Sequence, residues 1–237
     1  MVREYLDSLE PWKERALIGG GVGLLLCLYI PINHYTADLQ GAVPETWVDR
    51  AVPFDPRWVA IYELFYLFML LPVVLPSDRS AFRRIVGAYA LTGLVSFVVF
   101  LVYPVHFIER PTITSTETFG EWVLAMTHRI DTPSNCLPSL HVSLALLAAL
   151  SAWSLDRKVG LLALPMAVVI GLSTLFVKQH FWWDVVTGWG LGLASWFLLV
   201  RGAVRPGTDP DRRWLVRLVV AQAVLGLGAL LLHRLST

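Results

Sequence analysis

Two histidines and an aspartate have the spacing that nucleophilic and acid–base chemistry requires. His180 and Asp184 are four residues apart, so in a helix they share one face and can form a hydrogen bond. An aspartate that binds one ring nitrogen of a histidine fixes its tautomer and leaves the other nitrogen free as a nucleophile. His141 can give a proton to a leaving oxygen and take one back from an incoming hydroxyl. These catalytic candidates, His180, Asp184 and His141, predict covalent phosphoryl transfer.

Further polar residues near these three suit the binding of a phosphate ester. Arg110 can bind two phosphate oxygens with its planar guanidinium, and Lys178 either adds a point charge or simply extends toward the membrane surface. Ser173 and Thr174 either contact the substrate or donate back to their own helix. Glu63 lies inside an apolar stretch, where acids are rare enough to suggest function. It would contact a headgroup hydroxyl, pair with Lys178 or Arg110, or hydrogen-bond to a neighbouring helix.

The segment before His141 predicts an anion site at the start of a helix. Pro138 suits the first position of a helix because it lacks an amide hydrogen and has a preset φ. The free amides of Ser139, Leu140 and His141 would then point out of the helix end, where they bind anions well. A second helix is expected to begin near His180, which brings two helix N-termini together.

The elements that must position these residues are membrane-spanning helices. The chain has 237 residues, is 56% hydrophobic and only 16% charged, and its mean hydropathy is +0.60. Soluble domains carry about 25% charged residues, so this apolar surface needs lipid as its solvent. We expect a single all-α domain over residues 1–237, a polytopic bundle of six to seven helices whose motifs lie in residues 104–200. The seven apolar stretches are Ala16–Asn33, Arg57–Leu75, Phe82–Tyr103, Pro138–Trp153, Val159–Val177, Phe181–Val200 and Trp214–Leu232.

The alternation of spans places all the polar segments on one side of the membrane. Lys and Arg residues are more frequent on the side of the N-terminus, which predicts that this side is cytoplasmic. The active side would then be periplasmic or extracellular, in an integral protein of a bacterial inner membrane. The loop Pro104–Leu137 on that side contains Phe119–Arg129, which is expected to form a short interfacial helix. By helical rise Asp184 lies about 6 Å deeper than His180, so the pocket reaches lipid headgroup depth.

Two of these segments resemble signature motifs of a known family. Pro138-Ser139-Leu140-His141 and the run from Ser173 to Asp184 look like the second and third motifs of the type 2 phosphatidic acid phosphatase superfamily. The resemblance implies a six-helix core, a phosphohistidine intermediate, and no requirement for a metal or another cofactor. It also implies that His180 is the nucleophile, Asp184 its partner and His141 the acid and base, with Ser139 and Arg110 as phosphate ligands.

The sequence departs from the usual motifs at two positions. Tyr103 stands where the first motif usually has lysine, and Thr174 where the third usually has arginine. Lys178 is expected to supply the missing charge. The altered first motif, the pair Ser173-Thr174 and Cys136 are similar to the inositol phosphorylceramide synthase branch. By its type alone, Cys136 would be a packing residue or would support a neighbouring site residue. Members of that branch transfer phospho-headgroups between lipids, so hydrolysis and transfer both remain open.

The expected partners are membrane lipids, with a phospholipid or an isoprenoid phosphate as substrate. The net charge of +1 gives no basic field for nucleic acid. A metal-dependent transferase would need clustered aspartates, and Glu63 and Asp184 lie in different spans. Vanadate-dependent haloperoxidases use similar histidines and a similar anion site, but they are soluble, and the apolar stretches of this chain exclude that class. A non-catalytic lipid-binding or transport protein explains the spans but not the division of roles among the histidines. The sequence does not indicate an oligomeric state.

Overall fold

The architecture is a bundle of helices. The computed structural model describes residues 2–76, 78–107, 110–204, 216, 220, 223 and 226–234. Within them the regular structure is helical, apart from one isolated bridge between Ala42 and Val105, which confirms the predicted all-α membrane bundle. The helices are α1 (Val2–Ser8), α2 (Pro11–Cys27), α3 (Tyr29–Ala37), α4 (Trp47–Ala51), α5 (Val59–Phe68), α6 (Leu71–Val74), α7 (Arg79–Val102), α8 (Phe119–Ile130), α9 (Leu140–Leu155), α10 (Arg157–Phe176) and α11 (Trp182–Leu199), with a 3₁₀ turn at Pro56–Trp58.

Four helical stretches in the described part of the chain are long and apolar enough to cross a membrane. They correspond to the first, second, third and fifth predicted spans, and they are Pro11–Ala37, Pro56–Val74, Arg79–Val102 and Arg157–Phe176. The first consists of α2 and α3 in series, and the second joins the 3₁₀ turn to α5 and α6. These stretches confirm the greater part of the predicted bundle.

The other three predicted spans have different outcomes. The fourth is α9, whose 16 residues are fewer than the roughly 20 that a full crossing needs. The sixth is α11, which is helical over 18 residues. The seventh, Trp214–Leu232, lies largely outside the described residues, although residues 226–234 are helical.

Helix α9 is the centre of the bundle, where it packs against α7, α10 and α11. Most of its side chains are buried, and many are alanine or serine, which let neighbouring helices approach closely. Gly192 of α11 lies directly against α9, because an added Cβ there would be 2.4 Å from the Ser143 carbonyl oxygen. At Gly188 the corresponding distance to the Ser139 carbonyl oxygen is 2.8 Å. This close contact brings the N-terminal ends of α9 and α11 side by side.

The start of α9 differs from the prediction. Pro138 was expected to be the first helical residue, and this is wrong: α9 begins at Leu140 and Ser139 is its N-cap. The Ser139 hydroxyl accepts a hydrogen bond from the amide of Val142 at 3.3 Å. Serine is among the preferred N-cap residues, so its capping bond moves the helix start beyond the proline.

A buried amide fixes the loop that leads into α9. Asn33 of α3 is 1% exposed, and its Nδ2 donates to the Oγ of Ser134 at 3.1 Å. Its Oδ1 accepts from the amide of Thr132 at 2.9 Å. Nearby, Thr36 donates to the Oδ1 of Asn135 at 2.7 Å. A buried amide whose donor and acceptor are both paired gives the loop one defined position.

The short helix predicted at Phe119–Arg129 is present as α8. Thr118 and Glu121 form a capping box, in which the Thr118 hydroxyl accepts from the Glu121 amide at 3.2 Å. The Glu121 carboxylate accepts from the Thr118 amide at 3.1 Å in return. Helix α8 contacts α5 and the 3₁₀ turn, so it covers the end of the bundle at which the catalytic candidates lie.

Candidate active site

His180 and Asp184 lie where α11 begins, beside the start of α9. The Nδ1 of His180 is 3.5 Å from the Oδ2 of Asp184, slightly longer than a normal hydrogen bond. The same Oδ2 accepts from the amide of Phe181 at 2.7 Å, which fixes the carboxylate. Because Nδ1 faces the carboxylate, Nε2 is the ring nitrogen of His180 that is left for chemistry.

A tight connection between α10 and α11 holds His180 in place. Lys178 has a φ of 55°, in the left-handed region that residues other than glycine seldom adopt. The carbonyl of Thr174 then accepts the amides of Gln179 at 3.0 Å and His180 at 3.4 Å. Two bonds to one carbonyl at the end of α10 fix the backbone that carries His180.

His141 has a fixed ring plane and a defined tautomer. Its ring stacks on Tyr62 at 4.2 Å and on Phe65 at 3.8 Å, measured between ring centroids. Its Nε2 is 3.0 Å from the Tyr62 carbonyl oxygen. Because a carbonyl only accepts, Nε2 must carry a hydrogen. The Nδ1 of His141 is therefore the nitrogen that can exchange a proton with a substrate.

The starts of α9 and α11 are joined by a backbone hydrogen bond. The amide of Ser139 donates to the carbonyl of Asp184 at 3.0 Å, so the prediction that this amide is free was wrong. Within the described residues, the amides of Leu140 and His141 have no acceptor, as expected for the first turn of a helix. Two of the three predicted amides remain available to an anion.

Arg110 is held beside His180 by two acceptors. Its Nη1 donates to the carbonyl of Asp131 at 2.6 Å, and its Nη2 donates to the Oε1 of Gln179. The Nε of Arg110 and the Nε2 of Gln179 are buried and have no acceptor among the described residues. Gln179 is 3% exposed and directly precedes His180. Unpaired buried donors are uncommon, so this pair indicates the position of an absent acceptor.

Ionisable groups around Arg110 have shifted pKa values. Burial raises the pKa of the Asp131 carboxyl, while the Tyr29 hydroxyl, which donates to Asp131 at 2.7 Å, and the charge of Arg110 lower it. Burial and the charge of Arg110 lower the pKa of His128 to about 4, so this histidine is neutral near pH 7. Arg110 thus remains the main positive charge on this side of His180.

The ammonium of Lys178 is bound to backbone carbonyls. It donates to the carbonyls of Asp49 at 2.9 Å and Val52 at 2.6 Å, in residues 45–54, which we name the α4 segment. The Oδ1 of Asp49 accepts from the amide of Trp182 at 2.7 Å, so the second helix N-terminus has its first amide occupied. The structure therefore ties Lys178 to the α4 segment and does not direct it at His180.

Three other predicted ligands have hydrogen-bond partners within the protein. The hydroxyl of Ser173 donates to the carbonyl of Ile170 at 2.6 Å, and that of Thr174 donates to the carbonyl of Gly171 at 2.7 Å. These are the bonds back to the helix that the sequence left as an alternative. Glu63 accepts from the Thr127 hydroxyl at 2.8 Å, and within the described residues it pairs with neither Lys178 nor Arg110.

A cavity of about 550 Å³ lies next to these residues. Its lining includes Glu45, Asp49 and Arg50 of the α4 segment, and Lys178 and Phe181 from either side of His180 in the chain. Charges of both signs and apolar side chains line it together. Since Lys178 and Phe181 flank His180 in the chain, the cavity adjoins the site.

Sequence reasoning missed Gln179 and Asp49. Gln179 was detectable only by its position beside His180, because an uncharged amide has no chemical signature of its own. Asp49 has a local signal, since Thr46 and Asp49 form a capping box that starts α4. Its contact with Trp182 crosses 133 positions of the chain and has no local pattern.

A protein-family model matches this chain. No curated protein and no solved structure matches it significantly. A family model, the PAP2 superfamily, matches residues 80–206, which is more than half of the chain and includes Arg110, His141, His180 and Asp184. Members of this superfamily are phosphatases or phosphotransferases that act on lipid phosphates. The chain belongs to the PAP2 superfamily.

Proposed function

We propose that this protein is an integral-membrane lipid-phosphate phosphoesterase that works through a phosphohistidine on His180. The Nε2 of His180 attacks phosphorus, and the bond from phosphorus to the leaving oxygen breaks. His141 supplies the proton that the leaving oxygen takes up. A water or alcohol then gives its proton to His141 and displaces His180 from phosphorus, which restores both histidines.

The observation that carries this proposal is the set of unfilled donors around His180. The Nε of Arg110 and the Nε2 of Gln179 are buried without acceptors, and the first amides of α9 have none among the described residues. A phosphoryl group offers several acceptor oxygens and negative charge, so it satisfies such donors. Donors placed before the substrate arrives stabilise the charge of the transition state without reorganisation.

The surroundings of His141 support its role as the proton carrier. With Nε2 donating to the Tyr62 carbonyl, Nδ1 binds and releases the proton. Tyr62 and Phe65 hold the ring between them, so Nδ1 keeps one direction through both half-reactions. Ser139 caps the same helix and holds its first turn against α11.

Headgroup transfer between lipids is the second candidate function. The cavity beside His180 has room for an acceptor alcohol, and its lining of both charges suits a polar headgroup. The replacements at Tyr103 and Thr174 and the presence of Cys136 are similar to the inositol phosphorylceramide synthase branch. An alcohol bound in the cavity would compete with water for the phosphohistidine and yield a new phosphodiester.

We further propose that the substrate is a phospholipid or isoprenoid phosphate reached from the outer face of a bacterial inner membrane. The distribution of Lys and Arg residues supports this orientation. The ends of α9 and α11 that carry the histidines would then face the periplasm or the outside.

The proposal can be tested with a panel of lipids. Purified protein in liposomes is incubated with phosphatidic acid, isoprenoid diphosphates and phospholipids, with and without polyol acceptors, and the products are identified by mass spectrometry. A dephosphorylated lipid indicates hydrolysis, and a headgroup-exchanged lipid indicates transfer. His180→Asn is the control and should form neither product. Binding without turnover by the wild type would instead support a lipid-binding or transport protein.

A further inference from the structure

Three potential metal ligands meet at the nucleophile. The Sγ of Cys136, a ring nitrogen of His180 and a carboxylate oxygen of Asp184 all lie within 4.8 Å of one another. They come from two parts of the chain, the loop before α9 and the beginning of α11. Their exposed fractions are 1%, 8% and 0%, so all three residues are buried.

Two of these groups have unused polar atoms. The Oδ1 of Asp184 is buried and has no hydrogen-bond partner among the described residues. The Nδ1 of His180 is also buried, and its contact with the Oδ2 of Asp184, at 3.5 Å, is longer than a normal hydrogen bond. The Sγ of Cys136 lies 3.9 Å from the carbonyl oxygens of Pro133 and Gln179, which are long hydrogen-bond contacts for a thiol. Buried polar atoms normally have partners, so these atoms together indicate a place for a ligand that accepts electron pairs from sulfur, nitrogen and oxygen at once.

We propose that Cys136, His180 and Asp184 bind a zinc-like divalent cation that reversibly inhibits the enzyme. A thiolate, an imidazole and a carboxylate are the ligand types that Zn²⁺ accepts, and three protein ligands leave a fourth position for water. The thiolate and the carboxylate together balance the charge of the ion. Mg²⁺ and Ca²⁺ prefer ligand sets made only of oxygen, so this site selects against them.

The chemistry of inhibition follows from the ring of His180. Binding releases the thiol proton of Cys136 to solvent, and the ring proton of His180 moves from Nδ1 to Nε2 as the metal takes Nδ1. A protonated Nε2 has no lone pair to attack phosphorus. The inhibitory consequence rests on the proposed function of His180, whereas metal binding at the three ligands does not.

The first test measures inhibition by ZnCl₂ at fixed lipid substrate. Cys136→Ser and Cys136→Ala remove the thiol, and Cys27→Ser is the matched control because Cys27 is the other free cysteine and is exposed on α2. We expect Zn²⁺ to inhibit the wild type and Cys27→Ser reversibly, with recovery on adding a chelator. The inhibitory concentration should rise at least about tenfold in the Cys136 variants, whose uninhibited activity is kept, and MgCl₂ should not inhibit. Equal sensitivity in the Cys136 variants would overturn the proposal.

A second test does not depend on enzyme activity. Co²⁺ replaces Zn²⁺ in such sites, and a bound thiolate gives a near-ultraviolet charge-transfer absorption. We expect this absorption in the wild type and Cys27→Ser, and its loss in Cys136→Ser. Its absence from the wild type would overturn the proposed site. Its presence in a protein without turnover would support the site and contradict the proposed function.

Discussion

Lys178 donates its ammonium hydrogen to the carbonyl of Asp49 at 2.9 Å, although 129 positions separate the two residues in the chain. The carboxylate of Asp49 accepts from the amide of Trp182 on the other side of His180. The α4 segment therefore binds a residue on each side of the proposed nucleophile, the Lys178 side chain on one side and the Trp182 amide on the other. Lys178, which the sequence predicts to bind phosphate, is thus bound to backbone carbonyls in this structure, and we infer that it positions His180.

This relationship predicts that Lys178→Met lowers kcat more than it raises KM. Hydrogen bonds to charged groups contribute about 1.5–3 kcal/mol, so losing them should reduce kcat roughly tenfold to a hundredfold. Asp49→Ala should act in the same direction. Both residues bind the α4 segment to the residues around His180. The loss of transition-state stabilisation in the double variant should therefore be smaller than the sum of the losses in the two single variants. Steady-state kinetics of the three variants measure this.

A direct phosphate contact by Lys178 would give a different pattern. Lys178→Met would then raise KM at nearly constant kcat, and its effect would add to that of Asp49→Ala. That result would show that Lys178 is a phosphate ligand, as its position in the sequence suggests.

Gln179 is predicted to orient Arg110. Gln179→Leu removes the acceptor for Nη2, and kcat/KM should fall about tenfold to a hundredfold because a hydrogen bond to a charged group is lost. Gln179→Glu keeps an acceptor for Arg110 but places a negative charge beside the phosphate, so it should be at least as damaging. Kinetics with a lipid phosphate measure both, and wild-type activity in Gln179→Leu would show that Arg110 needs no such support.

The stacked rings around His141 predict a dependence on the leaving group. Phe65→Ala removes a ring whose centroid is 3.8 Å from that of His141, and the loosened imidazole should transfer protons poorly. The rate with an alkyl phosphate should fall about tenfold or more, but the rate with p-nitrophenyl phosphate much less, because nitrophenolate leaves without a proton. Tyr62→Phe keeps the stack and the backbone carbonyl, so it serves as the control with near-normal rates. Equal losses with both substrates would argue against His141 as the acid.

Gly192 and Gly190 provide a matched test of packing between α9 and α11. An added Cβ at Gly192 would lie 2.4 Å from the Ser143 carbonyl oxygen, whereas Gly190 has nothing within 4 Å of that position. Gly192→Ala should destabilise the protein by about 1–3 kcal/mol, since backbone must shift to admit the methyl group. Gly190→Ala should leave the unfolding temperature in detergent unchanged or raise it slightly. Similar unfolding temperatures for the two variants would contradict the close contact.

Features that depend on nearby residues were predictable from the sequence. His180 and Asp184 are close together as predicted, but not on one helical face, because His180 precedes Phe181, the N-cap of α11. Helix α8 follows from its capping box and apolar face. The four long spans follow from continuous hydropathy. Pro138 was misplaced because two local preferences competed, and the capping bond of Ser139 decided the helix start.

The long-range contacts were not predictable. The partner of Lys178 depends on the path of the α4 segment across the end of the bundle, and no periodic pattern encodes that path. The same holds for the bond from Arg110 to Gln179, which joins two loops 69 positions apart. From these contacts we infer positioning roles that residue type alone could not indicate.

The most direct test of the central claim is to trap the phosphorylated protein during turnover. Wild-type protein and His180→Asn are mixed with ³²P-labelled lipid phosphate and quenched in alkali. Phosphohistidine is stable in alkali, whereas acid hydrolyses it and releases the label. The proposed mechanism predicts an acid-labile label on the wild type, located at His180 by mass spectrometry, and none on His180→Asn. A label at another residue, or turnover by His180→Asn at the wild-type rate, would contradict it.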